Sequence, residues 1–212
     1  LRYLYFFDDT FILHKDFVFE FCKKFKERKF NKKIKWTANV RANLITDEII
    51  KTMKDAGCYE VRMGVESGND FIRNEIYNKK MTNEQLIRAF EIIKKNGIQL
   101  RLDFIIGAPF ETLEMMEESF ELAKISEGDQ IFFAKLYPFP GTEIKKICEK
   151  EQIIKEDENL KEKGMPSVER TMFISKRQLN EFAKKISLWQ MKRYIKEGIG
   201  RKKIRFFFDI LI

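Results

Sequence analysis

Cysteine is scarce in this sequence. The 212 residues contain three, Cys22, Cys58 and Cys148, and they lie far apart. A disulfide framework or a Cys-x2-Cys metal site needs more cysteines or short spacings, so both are excluded. We interpret each of the three as a small buried apolar side chain, and we expect a reducing compartment, the cytoplasm.

Histidine and long apolar runs are equally rare. His14 is the single histidine, and one imidazole without a partner does not indicate a metal site. Apolar stretches such as residues 104–109 and 206–212 are far shorter than the ~20 residues of a membrane-spanning helix. The chain begins at Leu1 with an apolar run and no charged leader. We therefore expect no signal peptide, and a sequence that is a fragment.

Charge, in contrast, is abundant and mostly basic. Lys and Arg number 41 against 33 Asp and Glu, which gives a net charge of +8. Lysine is spread over successive predicted helices, which favours solvated faces over a nucleic-acid surface, and residues 201–205 form the exception. A nucleic-acid partner is thus open but not favoured.

Apolar runs alternate with amphipathic segments along the first 150 residues. Thr82 to Gln85 match a capping box, which predicts a helix start. Near-continuous apolar strands separated by helices are typical of a parallel sheet covered by helices, either a barrel or a doubly wound sheet. The predicted strands are residues 1–7, 34–40, 59–65, 98–106 and 129–136; the predicted helices are 16–30, 46–57, 69–77, 82–97, 113–125 and 143–151.

The remainder is predicted to be an extension. Residues 153–174 are charged and contain Gly164 and Pro166, and they are predicted to be a linker or surface excursion. Ser175 opens an amphipathic helix that reaches about Glu197, followed by a tail. The predicted organisation is a domain over 1–152, the linker over 153–174, and a C-terminal helix and tail over 175–212.

Polar and turn-forming residues collect where the predicted strands end. In parallel α/β folds, ligands bind at the carboxyl ends of the strands. The segments concerned are Asp8-Asp-Thr-Phe11, Thr37-Ala-Asn-Val-Arg41, Gly64-Val-Glu-Ser-Gly-Asn69, Asp103 to Thr112 and Tyr137-Pro-Phe-Pro-Gly-Thr142.

This set of motifs resembles radical S-adenosylmethionine (SAM) enzymes. Asp-Asp-Thr-Phe, Gly-Val-Glu-Ser-Gly, Ile-Ile-Gly-x-Pro-x-Glu-Thr and Pro-x-Pro-Gly-Thr follow one another as in strands two to six of that family. The group that often carries an amino-terminal cobalamin-binding domain is most similar. The resemblance covers residues 1–150 and implies an α/β fold: a partial (β/α)6 TIM-like barrel with strands two to six present, followed by a C-terminal helical extension.

The resemblance also implies cofactors. The family uses SAM and a four-iron, four-sulfur cluster held by Cys-x3-Cys-x2-Cys after the first strand, and the cobalamin-associated group adds cobalamin. No cysteine here has that spacing, so the expected cluster ligands lie outside this chain, no metal ligand is predicted within it, and the chain alone is expected to be inactive.

Three charged residues are the principal SAM candidates. Glu66 is expected to accept hydrogen bonds from polar groups of SAM, or to be a capping or core-paired carboxylate. Asp103 interrupts an apolar strand and would be costly to bury unpaired; it is expected to bridge the ribose diol, or to pair with Arg101 or Arg62. The resemblance places a basic residue for the methionine carboxylate at Lys79, with Lys80 as a rival.

Further candidates lie at the carboxyl ends of the predicted strands. Arg41 is expected to bind SAM or an anionic substrate, or to pair with Asp8 or Asp9. Residues 107–109 and 137–142 are expected to approach adenine with backbone groups, and turn chemistry is their alternative role. The full predicted SAM-binding set is Asp8, Arg41, Glu66, Ser67, Lys79, Asp103, Gly107, Pro109, Tyr137 and Pro138.

The function implied is reductive cleavage of SAM to a 5′-deoxyadenosyl radical, used for methyl transfer or another radical rearrangement. A small-molecule or lipid-like substrate and a reductant protein such as flavodoxin or ferredoxin are expected, with no membrane span. Two alternatives stay open: an RNA-modifying radical SAM enzyme, and a degenerate barrel that acts as a non-catalytic binding module.

Overall fold

A computed structural model describes residues 1–154, 168 and 170–196. The strands are β1 (Tyr3–Phe6), β2 (Lys35–Asn39), β3 (Cys58–Glu66), β4 (Gln99–Ile106) and β5 (Gln130–Lys135). The α-helices are α1 (Lys15–Glu27), α2 (Asp47–Asp55), α3 (Asn83–Lys95), α4 (Leu113–Ser126), α5 (Glu143–Lys150) and α6 (Lys176–Lys196). Short 3-10 helices cover Phe30–Lys32 and Ala42–Leu44, and a π-helix covers Ile72–Ile76.

The strands form one five-stranded parallel sheet in chain order, β1-β2-β3-β4-β5. Tyr5 is aligned with Thr37, and Thr37 with Glu60, after a register shift between Trp36 and Thr37. Each predicted strand is present, and so is each predicted helix apart from the one over residues 69–77, with described ends that differ by a few residues. The predicted strand order is confirmed.

Helix starts follow their capping residues. The Thr82 hydroxyl accepts from Gln85 N while Gln85 Oε1 accepts from Thr82 N, so the predicted capping box is present. Thr46 and Thr142 cap α2 and α5 through the same hydroxyl contact. Residues 72–76 form a π-helix where an ordinary short helix was expected.

The chain divides into two compact units. The first contains residues 1–65, 80–103 and 122–132. Its core includes an aromatic cluster of Phe6, Phe11, Phe21 and Trp36, whose ring centroids lie 4.9–5.5 Å from one another. The Trp36 indole donates to Ala56 O at 2.9 Å. Burial of these rings stabilises the unit by several kcal/mol, since each aromatic side chain contributes about 1.5–3 kcal/mol.

One face of the first unit's strands is polar, which differs from the expectation of near-continuous apolar strands. Residues alternate between buried and half-buried along β3 and β4. Glu60 accepts from Thr37 Oγ1, Arg62 Nε and Gln130 Nε2 at 3.3, 2.9 and 2.9 Å. Every partner of this buried carboxylate is a donor, which offsets its desolvation.

The second unit contains residues 66–79, 104–121 and the described residues from Phe133 onward. Phe104 stacks on Phe133 with ring centroids 4.8 Å apart, and Phe120 contacts Trp189 edge to face at 5.2 Å. The second contact packs α6 against α4. The predicted boundary at 152/153 stays a prediction, and residues 155–167, 169 and 197–212 of the predicted linker and tail lie outside the described residues.

Candidate S-adenosylmethionine site

Glu66 and Lys79 form an ion pair in the second unit. Lys79 Nζ lies 2.7 Å from Glu66 Oε1, and the two side chains are 30% and 16% exposed. Glu66 is the last residue of β3 and has a φ of +64°, a left-handed conformation that is costly for a residue with a Cβ. Lys80 is exposed. Lys79 is therefore the lysine that pairs with Glu66; which of the two lysines binds the SAM carboxylate stays a prediction.

The loop after β3 is held in place by Arg73, which sequence reasoning missed. The Arg73 guanidinium is fully buried and donates to Ser67 O at 3.0 Å and Gly68 O at 3.4 Å. Its Nη2 also pairs with Asp70. Lys79 N donates to Arg73 O at 3.0 Å. One residue thus connects the loop that follows Glu66 with the backbone of Lys79.

The same loop packs on α4 through its small residues. The Ser67 and Ser119 hydroxyls lie 3.1 Å apart, and Gly68 N donates to Ser119 Oγ at 2.9 Å. A Cβ on Gly68 would lie 2.5 Å from Glu118 O. Ser67 is therefore buried against α4, and its predicted contact with SAM stays a prediction.

Glu111 organises the loop after β4. Its Oε2 accepts from Gly107 N at 2.6 Å and Ala108 N at 3.1 Å, and Thr171 Oγ1 donates to Glu111 O at 2.9 Å. Burial raises the pKa of this carboxyl to about 7, although the two backbone donors oppose that shift. Sequence reasoning quoted Glu111 within a motif but gave it no role.

The buried polar atoms of this unit that have no hydrogen-bond partner among the described residues include Tyr77 Oη and Glu111 Oε1. Burial, and secondarily the charges of Glu111 and Glu66, raise the pKa of Tyr77, so the phenol keeps its proton. Together with the Glu66–Lys79 pair, these atoms provide an acceptor, a cation and a neutral donor. That set fits the ammonium and carboxylate of the methionine part of SAM.

The other predicted residues of the second unit have mainly structural contacts. Gly107 has a φ of +90°, and a Cβ there would lie 2.7 Å from a Val168 methyl. The missing side chain therefore makes room for the Val168 side chain. Pro109 is buried, and its carbonyl accepts from Met172 N at 2.9 Å. The Tyr137 ring contacts Phe139 edge to face at 4.5 Å, and Pro138 is buried.

Asp103, in the first unit, pairs with Arg101. Arg101 Nη2 and Nε lie 3.0 and 3.2 Å from Asp103 Oδ1, and the guanidinium lies 4.1 Å from the Phe132 ring centroid. The Asp103 side chain is 38% exposed. Of the two roles expected for Asp103, the ion pair with Arg101 is present; its predicted contact with the ribose stays a prediction.

Asp8 and Arg41 flank the carboxyl ends of β1 and β2. Asn39 Nδ2 donates to Asp8 O at 2.9 Å, and Tyr5 Oη donates to Asn39 Oδ1 at 3.0 Å. Arg41 Nε donates to Asn43 Oδ1 at 3.1 Å. Asp8 is exposed and Arg41 half-buried, so both side chains are accessible at these strand ends.

The described residues do not fit an iron–sulfur cluster. Cys22, Cys58 and Cys148 are buried on α1, β3 and α5, and burial raises the pKa of Cys22 to about 12 and of Cys148 to about 11. Within the described part of the chain, no group of three or more His, Cys, Asp or Glu side chains is arranged to hold a metal ion. Cluster ligation requires converging thiolates. The prediction that the three cysteines are buried is confirmed.

Comparison with known proteins gives the family. Residues 1–123 match the Radical SAM superfamily, more than half of the chain. This chain belongs to the radical SAM superfamily. An uncharacterized methyltransferase of Pyrococcus horikoshii is 35% identical over 144 residues, 68% of this chain and 31% of that protein. A tRNA-2-methylthio-N(6)-dimethylallyladenosine synthase of Sulfurihydrogenibium is 31% identical over 102 residues, 46% of this chain and 23% of that enzyme.

A solved structure supports the same fold. The radical SAM methyltransferase TsrM of Kitasatospora setae, determined with cobalamin and an iron–sulfur cluster bound, matches with a TM-score of 0.63 at 17% identity, over 73% of this chain and 32% of that chain. The predicted family and fold class are confirmed, as are SAM and the cluster as the cofactors of the superfamily. The chain spans between 23% and 32% of the length of these relatives. Among the described residues, no helix is both long and apolar enough to cross a bilayer.

Proposed function

We propose that this chain supplies the SAM-binding part of a radical SAM enzyme that cleaves SAM reductively and transfers a methyl group. Superfamily membership supports the first step. The methyl-transfer step is supported by the methyltransferase of P. horikoshii and by the methyltransferase TsrM. TsrM also makes cobalamin a candidate cofactor.

The observation that carries the proposal is the pair of Glu66 and Lys79. A carboxylate and an ammonium 2.7 Å apart are complementary to the ammonium and carboxylate of SAM's methionine. When SAM binds, the ion pair between Glu66 and Lys79 would be replaced by two ion pairs with SAM, at little net Coulomb cost. Each new charge-assisted hydrogen bond contributes about 1.5–3 kcal/mol. Glu66 would accept from the SAM ammonium, and Lys79 would donate to the SAM carboxylate.

Other residues would orient the ligand. Glu111 holds Gly107 and Ala108 in one conformation, which fixes the course of the loop that would lie beside adenine. Asp103 would accept from the ribose hydroxyls, and Arg41 or Asp8 would contact SAM or substrate at the ends of β1 and β2. The described residues do not hold the cluster, so their part in the reaction is to bind and position SAM.

A small-molecule substrate is the first candidate for the acceptor. Nucleic acid is the second, and the similarity to a tRNA-modifying enzyme is the observation that favours it. A flavodoxin- or ferredoxin-like reductant is proposed as the electron donor, since reductive cleavage of SAM consumes one electron.

Isothermal titration of SAM into the full chain tests the proposal. We expect Glu66→Gln and Lys79→Met each to weaken SAM binding about tenfold or more. Lys80→Met is the matched control, because Lys80 is the exposed neighbour, and it is expected to change affinity less than twofold. Unaltered affinity in both site variants with native circular dichroism would show that this pair does not bind SAM.

A further inference from the structure

The net positive charge of this chain is concentrated in one short segment. Residues 23–35 contain eight of the 41 basic residues and one of the 33 acidic residues, Glu27. The remainder therefore has 33 basic and 32 acidic residues, so seven of the eight net charges lie in this segment. The even spread of lysine expected from the sequence is wrong for this segment.

The structure exposes this segment to solvent. It forms the end of α1, the 3-10 helix Phe30–Lys32 and the beginning of β2, all in the first unit. All eight basic side chains belong to exposed residues: Lys23, Lys24, Lys26, Arg28, Lys29, Lys32, Lys33 and Lys35. We call this set the basic surface. Phe30 lies within it and is 39% exposed.

The basic surface is poorly compensated by acids. Within the described residues only Lys24 of the eight has an ion-pair partner, Glu20. The helix macrodipole favours cations in the last turn of α1, which accounts for Lys24, Lys26 and Arg28 at its end. Lys29, Lys32, Lys33 and Lys35 lie beyond that helix, so its dipole does not explain them.

We infer that the basic surface binds the phosphate backbone of a nucleic acid. A polyanion gains affinity by releasing counterions when several cations meet its phosphates. Seven of the eight are lysines, which act as point charges on phosphates, whereas arginine is preferred for two-point recognition of carboxylates and base edges. Binding without sequence preference follows from that composition.

An anionic membrane fits this surface less well. Interfacial binding needs a broad apolar face beside the cations. In residues 23–35 the exposed large apolar side chain is Phe30, while Phe25 and Trp36 beside it are buried. A single exposed ring suits stacking on a base better than insertion into lipid.

The basic surface lies away from Arg41, the member of the predicted SAM-binding set at the carboxyl end of β2. Lys35 begins β2, and Asn39 ends it before Arg41. A strand of this length separates its two ends by about 13 Å. The basic surface therefore lies at the amino end of β2, and the inference does not depend on SAM binding.

Fluorescence anisotropy with a labelled RNA stem-loop and a labelled DNA duplex of unrelated sequence tests the inference on the full chain. The variant Lys29→Glu/Lys32→Glu/Lys33→Glu lowers the net charge from +8 to +2. The matched control Lys51→Glu/Lys184→Glu/Lys192→Glu has the same net charge, and its three lysines are also exposed. We expect the first variant to raise Kd about tenfold or more for both probes and the control to raise it less than about threefold.

The salt dependence is a second readout. Loss of three phosphate contacts lowers the slope of log Kd against log salt by about 2–3. Equal losses in the two variants, or an unchanged slope in the first, would overturn the inference. Stronger binding to phosphatidylserine vesicles, or displacement of both probes by equimolar polyglutamate, would overturn it in favour of a membrane or an acidic protein. SAM titration of the same variants is expected to be unchanged, so failure here leaves the proposed function intact.

Discussion

Arg73 Nη1 donates a hydrogen bond to Ser67 O at 3.0 Å from a guanidinium with no exposed surface. The same residue accepts from Lys79 N through its carbonyl. Glu66 directly precedes Ser67, so Arg73 lies between the two members of the proposed SAM-binding pair along the backbone. The conformation of the pair therefore depends on a residue that need not touch SAM.

Arg73→Met should destabilise the protein by about 2–4 kcal/mol. The substitution removes the Arg73 donors to Ser67 O and Gly68 O, and a buried group that loses its donor costs about 1–3 kcal/mol. Urea unfolding followed by circular dichroism measures the change. Arg88→Met is the control, because Arg88 is exposed and such changes usually stay within about 0.5 kcal/mol. Equal effects in the two variants would contradict the assigned role of Arg73.

Glu111→Gln should alter how stability depends on pH. Native Glu111 has a pKa of about 7 against an ordinary 4.5, so the native state binds this proton more tightly than the unfolded chain. Protonated Glu111 therefore contributes favourably to the free energy of unfolding. This contribution is complete below about pH 4.5 and is lost as pH rises through about 7, a change of about 3 kcal/mol. Unfolding measured between pH 5 and 8 should show this fall in the wild type and a smaller one in the variant, whose amide oxygen can still accept from Gly107 and Ala108. If the free energy of unfolding changed with pH in the same way in the wild type and the variant, Glu111 would not titrate in this range.

Gly68→Ala should destabilise the loop after β3 by about 1–3 kcal/mol. The added Cβ would lie 2.5 Å from Glu118 O and 2.7 Å from Ser119 Cα, both on the backbone of α4, which yields less easily than a side chain. Thermal unfolding measures the loss, and proteolysis of residues 66–79 should accelerate. A variant as stable as the wild type would mean that this loop does not pack on α4 as described.

Asp103→Ala should weaken SAM binding by about 1.5–3 kcal/mol if the carboxylate bridges the ribose diol. Calorimetry with SAM and with its 2′-deoxy analogue separates this role from the ion pair. In the wild type the analogue should bind more weakly, and in the variant the two ligands should bind alike. Arg101→Met is the matched control, because it removes the ion pair and keeps the carboxylate. An equal loss of SAM affinity in the two variants would show that the loss comes from breaking the ion pair.

The three cysteines should not assemble a cluster. They are buried on three elements, and burial raises the pKa of each thiol. Anaerobic reconstitution of the chain with iron and sulfide should leave less than one iron per chain, unchanged by Cys22→Ala, Cys58→Ala and Cys148→Ala. All three thiols should react with a thiol reagent only after unfolding. Four irons per chain that are lost in these variants would overturn this view.

The sequence by itself determined the order and type of the elements. Apolar spacing and the capping box at Thr82 are local signals, and local hydrogen bonds with side-chain periodicity are enough to produce them. Motif order also led to the family. The chemistry of its carboxylate singled out Glu66, and the resemblance placed a basic residue at Lys79 with Lys80 as a rival.

Only the tertiary structure decided the partners. The pairing of Glu66 with Lys79, and of Asp103 with Arg101, depends on side-chain direction, which spacing does not reveal. Arg73 and Glu111 have charged side chains that a sequence pattern assigns to solvent. The fold buries both and places backbone carbonyls around the first and backbone amides around the second. Those backbone groups come from the loops after β3 and β4, and they reach the two side chains only once the chain has folded.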